Sequence, residues 1–255
     1  YISRSLVSLI KQDNVTSNIL KINFDNIEKE KFINIIKELQ NFDLLLEFLK
    51  VCPLPDIELE NLFRKIRKKI LMIEINFNEY IEIKNFIISL SAQCVLNEYI
   101  YSISKEEINK ISEIESKIIH SLKNVEENLI TVLSLYKDLS LYDWINDLNN
   151  NLLNEYLKNY LIEVQTEKDL KKTIKSIKEI DNIVSVNVKQ QYEENPYPRW
   201  KNPTITIPIS VKNFFEINNI KTVKFDENDF KKPKILIAGC GTGQHAINTA
   251  TRFKN

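Results

Sequence analysis

The sequence predicts an α-helical domain over residues 1–190, a proline- and aromatic-rich connector over 191–232, and the first β-α unit of an α/β domain over 233–255. Three observations carry that prediction. From Tyr1 to Gln190 there is no glycine, and the only prolines are Pro53 and Pro55, so helices run without breakers. Five of the seven prolines, Pro196, Pro198, Pro203, Pro208 and Pro233, fall within 196–233. All three glycines, Gly239, Gly241 and Gly243, then fall inside "KILIAGCGTGQHAINTATRFKN", which runs from Lys234 to Asn255.

The helical elements follow from periodicity and caps. "NIEKEKFINIIKELQ" (26–40) sets Ile27, Phe32, Ile35 and Leu39 near one stripe, and "FDLLLEFLKV" stops at Pro53. "DIELENLFRKIRKKILMI" begins with Asp56 as N-cap and places Leu59, Leu62, Phe63, Ile66 and Ile70 on one face. Its basic run "RKIRKK" (64–69) reads as the solvated side of that helix, with phosphate contact as the alternative. "EYIEIKNFIISLSAQCVLNEYIYSI" (79–103) is apolar on most sides, which predicts a central buried helix. "SKEE" (104–107) is a capping box in which Ser104 caps and Glu107 reaches back, opening a helix that ends near Lys123. Further helices are expected around 125–138, 141–162 and 166–180. His120 reads as a surface histidine on its helix. No clean 34-residue period marks the stretch as a repeat array.

After the connector, "SVKNFFEI" (210–217) reads as a short helix capped by Ser210, and "TITIPI" as an extended or edge segment, because it contains Pro208. "KPKILIAG" is an apolar run between Pro233 and Gly239, the pattern of a buried parallel strand. "GCGTG" is then a tight turn, and "QHAINTATRF" a helix with Ala246, Ile247, Ala250 and Phe253 facing inward.

Composition narrows the function classes. Lys plus Arg and Asp plus Glu number 35 each, so no net basic field points to nucleic acid or to an anionic membrane. No apolar run reaches the roughly 18–20 residues of a membrane span, the longest candidate, Phe86 to Ile103, being interrupted by Asn97, Glu98 and serines. Cys52, Cys94 and Cys240 form no CxxC or His/Cys cluster, so no metal site is expected. Two core thiols and one loop thiol suit a reducing cytoplasm. No signal peptide is recognisable, and the first residue is Tyr, so we expect a piece of a longer chain.

The glycine cluster carries the chemistry. One glycine permits the dihedrals of a sharp turn, one lets the backbone approach a ligand, and one lets the following helix pack close to the strand. The N–H groups of the turn and the positive end of the helix then face a polar ligand. The spacing is G-x-G-x-G. The dinucleotide fingerprint G-x-G-x-x-G would need glycine at position 244, where Gln244 stands, which disfavours a nicotinamide-dependent oxidoreductase.

"ILIAGCGTG" resembles motif I of the class I S-adenosylmethionine-dependent methyltransferases. "VKQQYEENPYPRW" (188–200) is similar to the segment preceding the catalytic domain in bacterial methyltransferases that carry tetratricopeptide repeats, with Lys189 and Gln190 where Arg and Glu are usual. "SAQCVLNEYIYSISKEE" (91–107) also resembles their helical region. The resemblance covers most of residues 40–255. It implies a Rossmann-like domain with S-adenosyl-L-methionine as cofactor, lined by Gly239, Cys240, Gly241, Thr242 and Gly243, with Gln244 and His245 opening the first helix.

The aromatics Tyr192, Tyr197 and Trp200, interleaved with Pro196, Pro198 and Arg199, leave two readings open. They close over the cofactor, Arg199 pairing its methionine carboxylate, or they form a rigid hinge between domains. Such an enzyme also carries an acidic ribose-binding residue about 20 positions past the glycines. The sequence closes at Asn255 before that point, so this piece alone is expected to bind cofactor poorly and not to turn over. No residue stands out as a catalytic base. The methyl acceptor, a protein or a small molecule, is unassigned. The helical domain reads either as a docking region for a protein partner or, alternatively, as a protein-interaction or scaffold module beside a non-catalytic Rossmann-like domain.

Overall fold

The computed structural model describes residues 2–148, 152–174, 182–194, 200, 206–220 and 233–253. The chain divides into two compact units, Tyr1–Lys175 and Ser176–Asn255.

The first unit contains α1 (Ile2–Gln12), α2 (Asn14–Ile19), α3 (Lys29–Gln40), α4 (Asp43–Val51), α5 (Ile57–Met72), α6 (Phe77–Leu96), α7 (Lys105–His120), α8 (Glu127–Leu133) and α9 (Glu155–Thr173), with 3-10 turns at Leu139–Leu141 and Asp143–Asp147. Side-chain caps set most of the starts. Asp56 Oδ1 accepts from the N–H groups of Glu58 and Leu59 at 3.1 and 3.0 Å. Ser104 and Glu107 close the reciprocal box at α7, and Asn76 and Glu79 make a second box at α6. Asn154 accepts from Leu157 N, which begins α9 at Glu155. The interruption expected between 162 and 166 is absent, because Glu163, Val164 and Gln165 contain no breaker.

The helix expected over 79–103 ends at Leu96. There Glu98 N–H donates to Val95 O and Tyr99 N–H to Cys94 O, a Schellman closure made without glycine. Glu98 and Tyr99 consequently adopt φ of 56° and 58°. Asn97 Oδ1 accepts from Tyr99 N at 3.1 Å and fixes the turn.

α6 is the central helix, packed against α3, α4 and α8. Residues Ser89 to Cys94 are all buried, so its C-terminal half has no solvent face. The polar groups there are matched locally. Ser89 Oγ donates to Asn85 O, and the Ser91 and Ser134 hydroxyls lie 2.7 Å apart. The Gln93 amide donates to Leu49 O and Cys52 O and accepts from Leu54 N, closing the carbonyl end of α4.

The basic run on α5 is not wholly solvated. Arg67 is fully buried. Its Nη1 donates to Leu135 O at 3.4 Å and its Nη2 to Ser102 O at 3.1 Å. The guanidinium lies 4.2 Å from the Tyr136 ring centre and 5.2 Å from that of Tyr101. Position 67 falls four after Phe63 and three before Ile70, on the apolar stripe, which is why it turns inward.

The second unit contains α10 (Ile183–Glu194), α11 (Val211–Ile217) and α12 (Gln244–Arg252). Ser210 Oγ accepts from Asn213 N and starts α11. The expected β-α unit of a Rossmann-like domain is corrected here, since all regular structure among the described residues is helical and none is strand. The run from Lys234 to Ile237 has no regular structure and Ala238 begins the turn; a strand exists only through a ladder with a neighbour, and none of the described residues supplies one. Nor is the run buried, since Leu236 is 92% exposed. The inner face expected for α12 is corrected with it, because Ile247 and Ala250 face solvent. What packs is Phe253, edge-on to Phe214 of α11 at 5.3 Å, while Ile209 N donates to Arg252 O at 2.9 Å.

Two outcomes follow. Arg67→Ala, which leaves the buried Leu135 carbonyl and the part-buried Ser102 carbonyl without their donor and opens a cavity, should destabilise the helical unit by about 3 kcal/mol, read as a lower urea midpoint. Asp56→Ala should cost about 1 kcal/mol at pH 7 through loss of the cap. Burial works to raise the Asp56 carboxyl, but the N–H of Leu59 and the Lys11 ammonium outweigh it and hold the group below its ordinary 3.8. A carboxyl depressed by folding stabilises fully above its unfolded value and loses that contribution as pH falls through the folded one. The gap between wild type and Asp56→Ala should therefore be complete at pH 7 and narrow below about pH 4 in pH-dependent urea melts.

Candidate functional site

The glycine turn lies in the second unit. Gly239, Gly241 and Gly243 take φ of 68°, 54° and 82°, all in the left-handed region that glycine enters without strain. A Cβ built at Gly239 or Gly243 would meet nothing within 4 Å. Backbone conformation, rather than the close helix packing expected from the sequence, is what requires glycine at those two positions.

Gly243 N donates to Cys240 O at 3.0 Å, and Ile247 N to Gly243 O at 3.0 Å, so the turn leads directly into α12. Gly243 is the N-cap and has no side chain to offer, so no side chain caps the first turn that Gln244 and His245 begin. The opening amides of α12 therefore present the positive end of a nine-residue helix. Cys240 is exposed, its Sγ 3.8 Å from Gly241 O, and His245 is exposed as well.

Thr242, between two of the glycines, receives the indole N–H of Trp200. Trp200 Nε1 lies 3.1 Å from Thr242 Oγ1 and 3.3 Å from Thr242 O. The structure thus brings Trp200 to the glycine turn. Tyr192 sits on α10, 64% exposed. Tyr197 and Arg199 lie outside the described residues.

Sequence reasoning missed a cleft of about 480 Å³ beside the turn. It is lined by the apolar residues Ile235–Ala238 and by His245, Asn248 and Arg252 from α12, with Phe214 among the lining residues. The signal was present in the i, i+3, i+7 spacing of those three polar residues, hidden because the apolar residues of the same helix were assigned to the inner face.

Among the described residues no group of three or more His, Cys, Asp or Glu is placed to hold a metal ion. No described helix is long and apolar enough to cross a membrane. Comparison with protein-family models, with curated proteins and with solved structures found no match to this chain.

The nucleophiles differ sharply in environment. Burial pushes the Cys94 thiol up to about 12, although neighbouring Arg67 pulls the other way. Burial also raises the half-buried Cys52. Alkylation at pH 8 should therefore label Cys240 first and leave Cys94 untouched until urea unfolds the helical unit, a sequence readable by peptide mass spectrometry.

Proposed function

We propose that this chain contributes to an S-adenosyl-L-methionine-dependent methyltransferase, with the turn from Gly239 to Gly243 and the start of α12 contacting the cofactor. The observation that carries the reading is the row of three left-handed glycines leading into a helix start without a side-chain cap. That arrangement suits a polar ligand, because no side chain caps the opening amides of α12 and a Cβ at Gly239 or Gly243 would meet only open space. The G-x-G-x-G spacing and the resemblance of "ILIAGCGTG" to motif I favour this cofactor over a dinucleotide.

When bound, the cofactor supplies an activated methyl group, transferred in line to an acceptor atom as the carbon–sulfur bond breaks and its electron pair stays on sulfur. The chain's own part is positioning and exclusion of water. Thr242 and Cys240 shape the turn, and Gln244 and His245 begin the helix whose amides face the ligand. The acceptor is a protein or a small molecule. The three free thiols suit a cytoplasmic setting.

A second reading concerns the helical unit. α9 exposes Ile162 and Leu170, and Ile174 just past its end is exposed too; an open groove of about 570 Å³ is lined by Tyr142, Ile145, Leu161 and Ile162 together with polar residues such as Asp143 and Lys158. These surfaces favour a docking role toward a protein partner. The two readings are compatible within one enzyme.

Calorimetric titration of the natural protein with S-adenosylhomocysteine and with NAD tests the first reading. Binding of S-adenosylhomocysteine alone is expected, weakened at least tenfold in Gly241→Val, since a β-branched residue is strained at positive φ. Binding of NAD instead, or of neither ligand, overturns the methyltransferase reading.

A further inference from the structure

We infer that Trp200 is a positioning residue that locks the glycine turn before any ligand arrives. The peptide unit joining Thr242 to Gly243 is gripped at both ends. Its carbonyl oxygen accepts from Trp200 Nε1 at 3.3 Å, and its N–H donates to Cys240 O at 3.0 Å. The same indole N–H reaches Thr242 Oγ1 at 3.1 Å, so side chain and backbone of Thr242 are fixed by one donor.

The need for such a latch follows from the local sequence. Glycines flank Thr242 on both sides, and glycine crosses between backbone regions at little cost, so without Trp200 only the bond to Cys240 O would hold the Thr242–Gly243 peptide. If it flipped, both hydrogen bonds would be lost and its carbonyl would turn toward that of Cys240. Trp200 lies 42 positions away in the sequence and is half-buried, so it couples the connector to the turn without lengthening either. Its one donor is committed to Thr242, which leaves only the ring faces for contact with a ligand.

The consequence for affinity rests on the cofactor reading above. A turn already ordered spares the ligand the entropic cost of ordering it. The latch itself does not rest on that reading, and the chain offers a direct probe of it. With three glycines in all, a sample labelled with 15N-glycine gives three amide signals, one for each glycine of the turn.

In the wild-type chain the Gly243 amide should exchange slowly with solvent. In Trp200→Phe it should exchange about fivefold faster, the equivalent of one net hydrogen bond, with the far-UV circular dichroism unchanged. Thr242→Val should reproduce part of that acceleration, and Thr242→Ser, which keeps the hydroxyl, should restore protection. Equal Gly243 exchange in wild type and Trp200→Phe overturns the latch. In the natural protein, S-adenosylhomocysteine should bind about fivefold more weakly to Trp200→Phe. Unchanged affinity despite faster Gly243 exchange overturns the role of the latch in binding. If wild type fails to bind that ligand, the cofactor reading falls, and the exchange comparison still decides the latch.

Discussion

The buried guanidinium of Arg67 is the constraint around which the helical unit is arranged. A charge removed from water is costly unless its protons are matched, and no carboxylate among the described residues lies within ion-pair distance of this one. Two backbone carbonyls and two aromatic faces match its Nη end instead, while the buried Nε has no hydrogen-bond partner among the described residues. Those four groups belong to two stretches that leave helices, the segment after α6 and the one after α8. Arg67 thereby fixes where both stretches cross α5. Negative charge is one step further out, since Tyr136 Oη donates to Glu107 Oε1 at 2.9 Å. Glu107 also accepts from Ser104 N at 2.8 Å in the capping box of α7. The start of α7, the end of α8 and the middle of α5 are thus joined through one polar chain inside an otherwise apolar core. Replacing such a charge with a hydrophobic residue of equal volume often leaves stability intact, so the return on keeping it is specificity of packing rather than free energy.

The parts of this unit that the sequence made legible are those decided within about four residues. Asp56, the Ser104–Glu107 box and Ser210 were readable as helix starts because a cap is a local hydrogen bond. The extent of α6 was less readable, because its stop relies on Glu98 and Tyr99 taking positive φ, which neither residue type advertises. Arg67 was misjudged for the opposite reason. Its composition said surface while its spacing from Phe63 and Ile70 said core, and spacing won because the position had carbonyls ready to receive a donor.

The same distinction explains the second unit. The turn from Gly239 to Gly243 was legible because positive φ is a property of single residues, and glycine is its marker. A strand is a property of pairs, so an apolar run between a proline and a glycine states only that the segment suits a sheet. With no ladder partner among the described residues, Lys234 to Ile237 stays irregular and Leu236 stays exposed. The stretches that resemble methyltransferase sequence also separate by role once their geometry is known. Gln93 closes the carbonyl end of α4, and Asn97, Glu98 and Tyr99 form the turn that ends α6. These residues explain themselves as architecture and need no ligand.

The glycine turn differs from those cases in what would justify it structurally. A glycine kept for packing has a neighbour where its Cβ would be, and at Gly239 and Gly243 that space is empty. A turn needed only to reverse the chain can be closed by one left-handed residue, as the end of α11 shows, where Asn219 at φ 51° does so without glycine. Three left-handed glycines in five residues, followed by a helix start that no side chain caps, exceed what reversal requires. The surplus is backbone without Cβ atoms leading into uncapped helix amides, with the Thr242 carbonyl held by an indole 42 positions away. Water alone satisfies such groups at any helix start. A glycine turn latched by an indole ahead of such a start is the feature on which the proposal of a ligand rests.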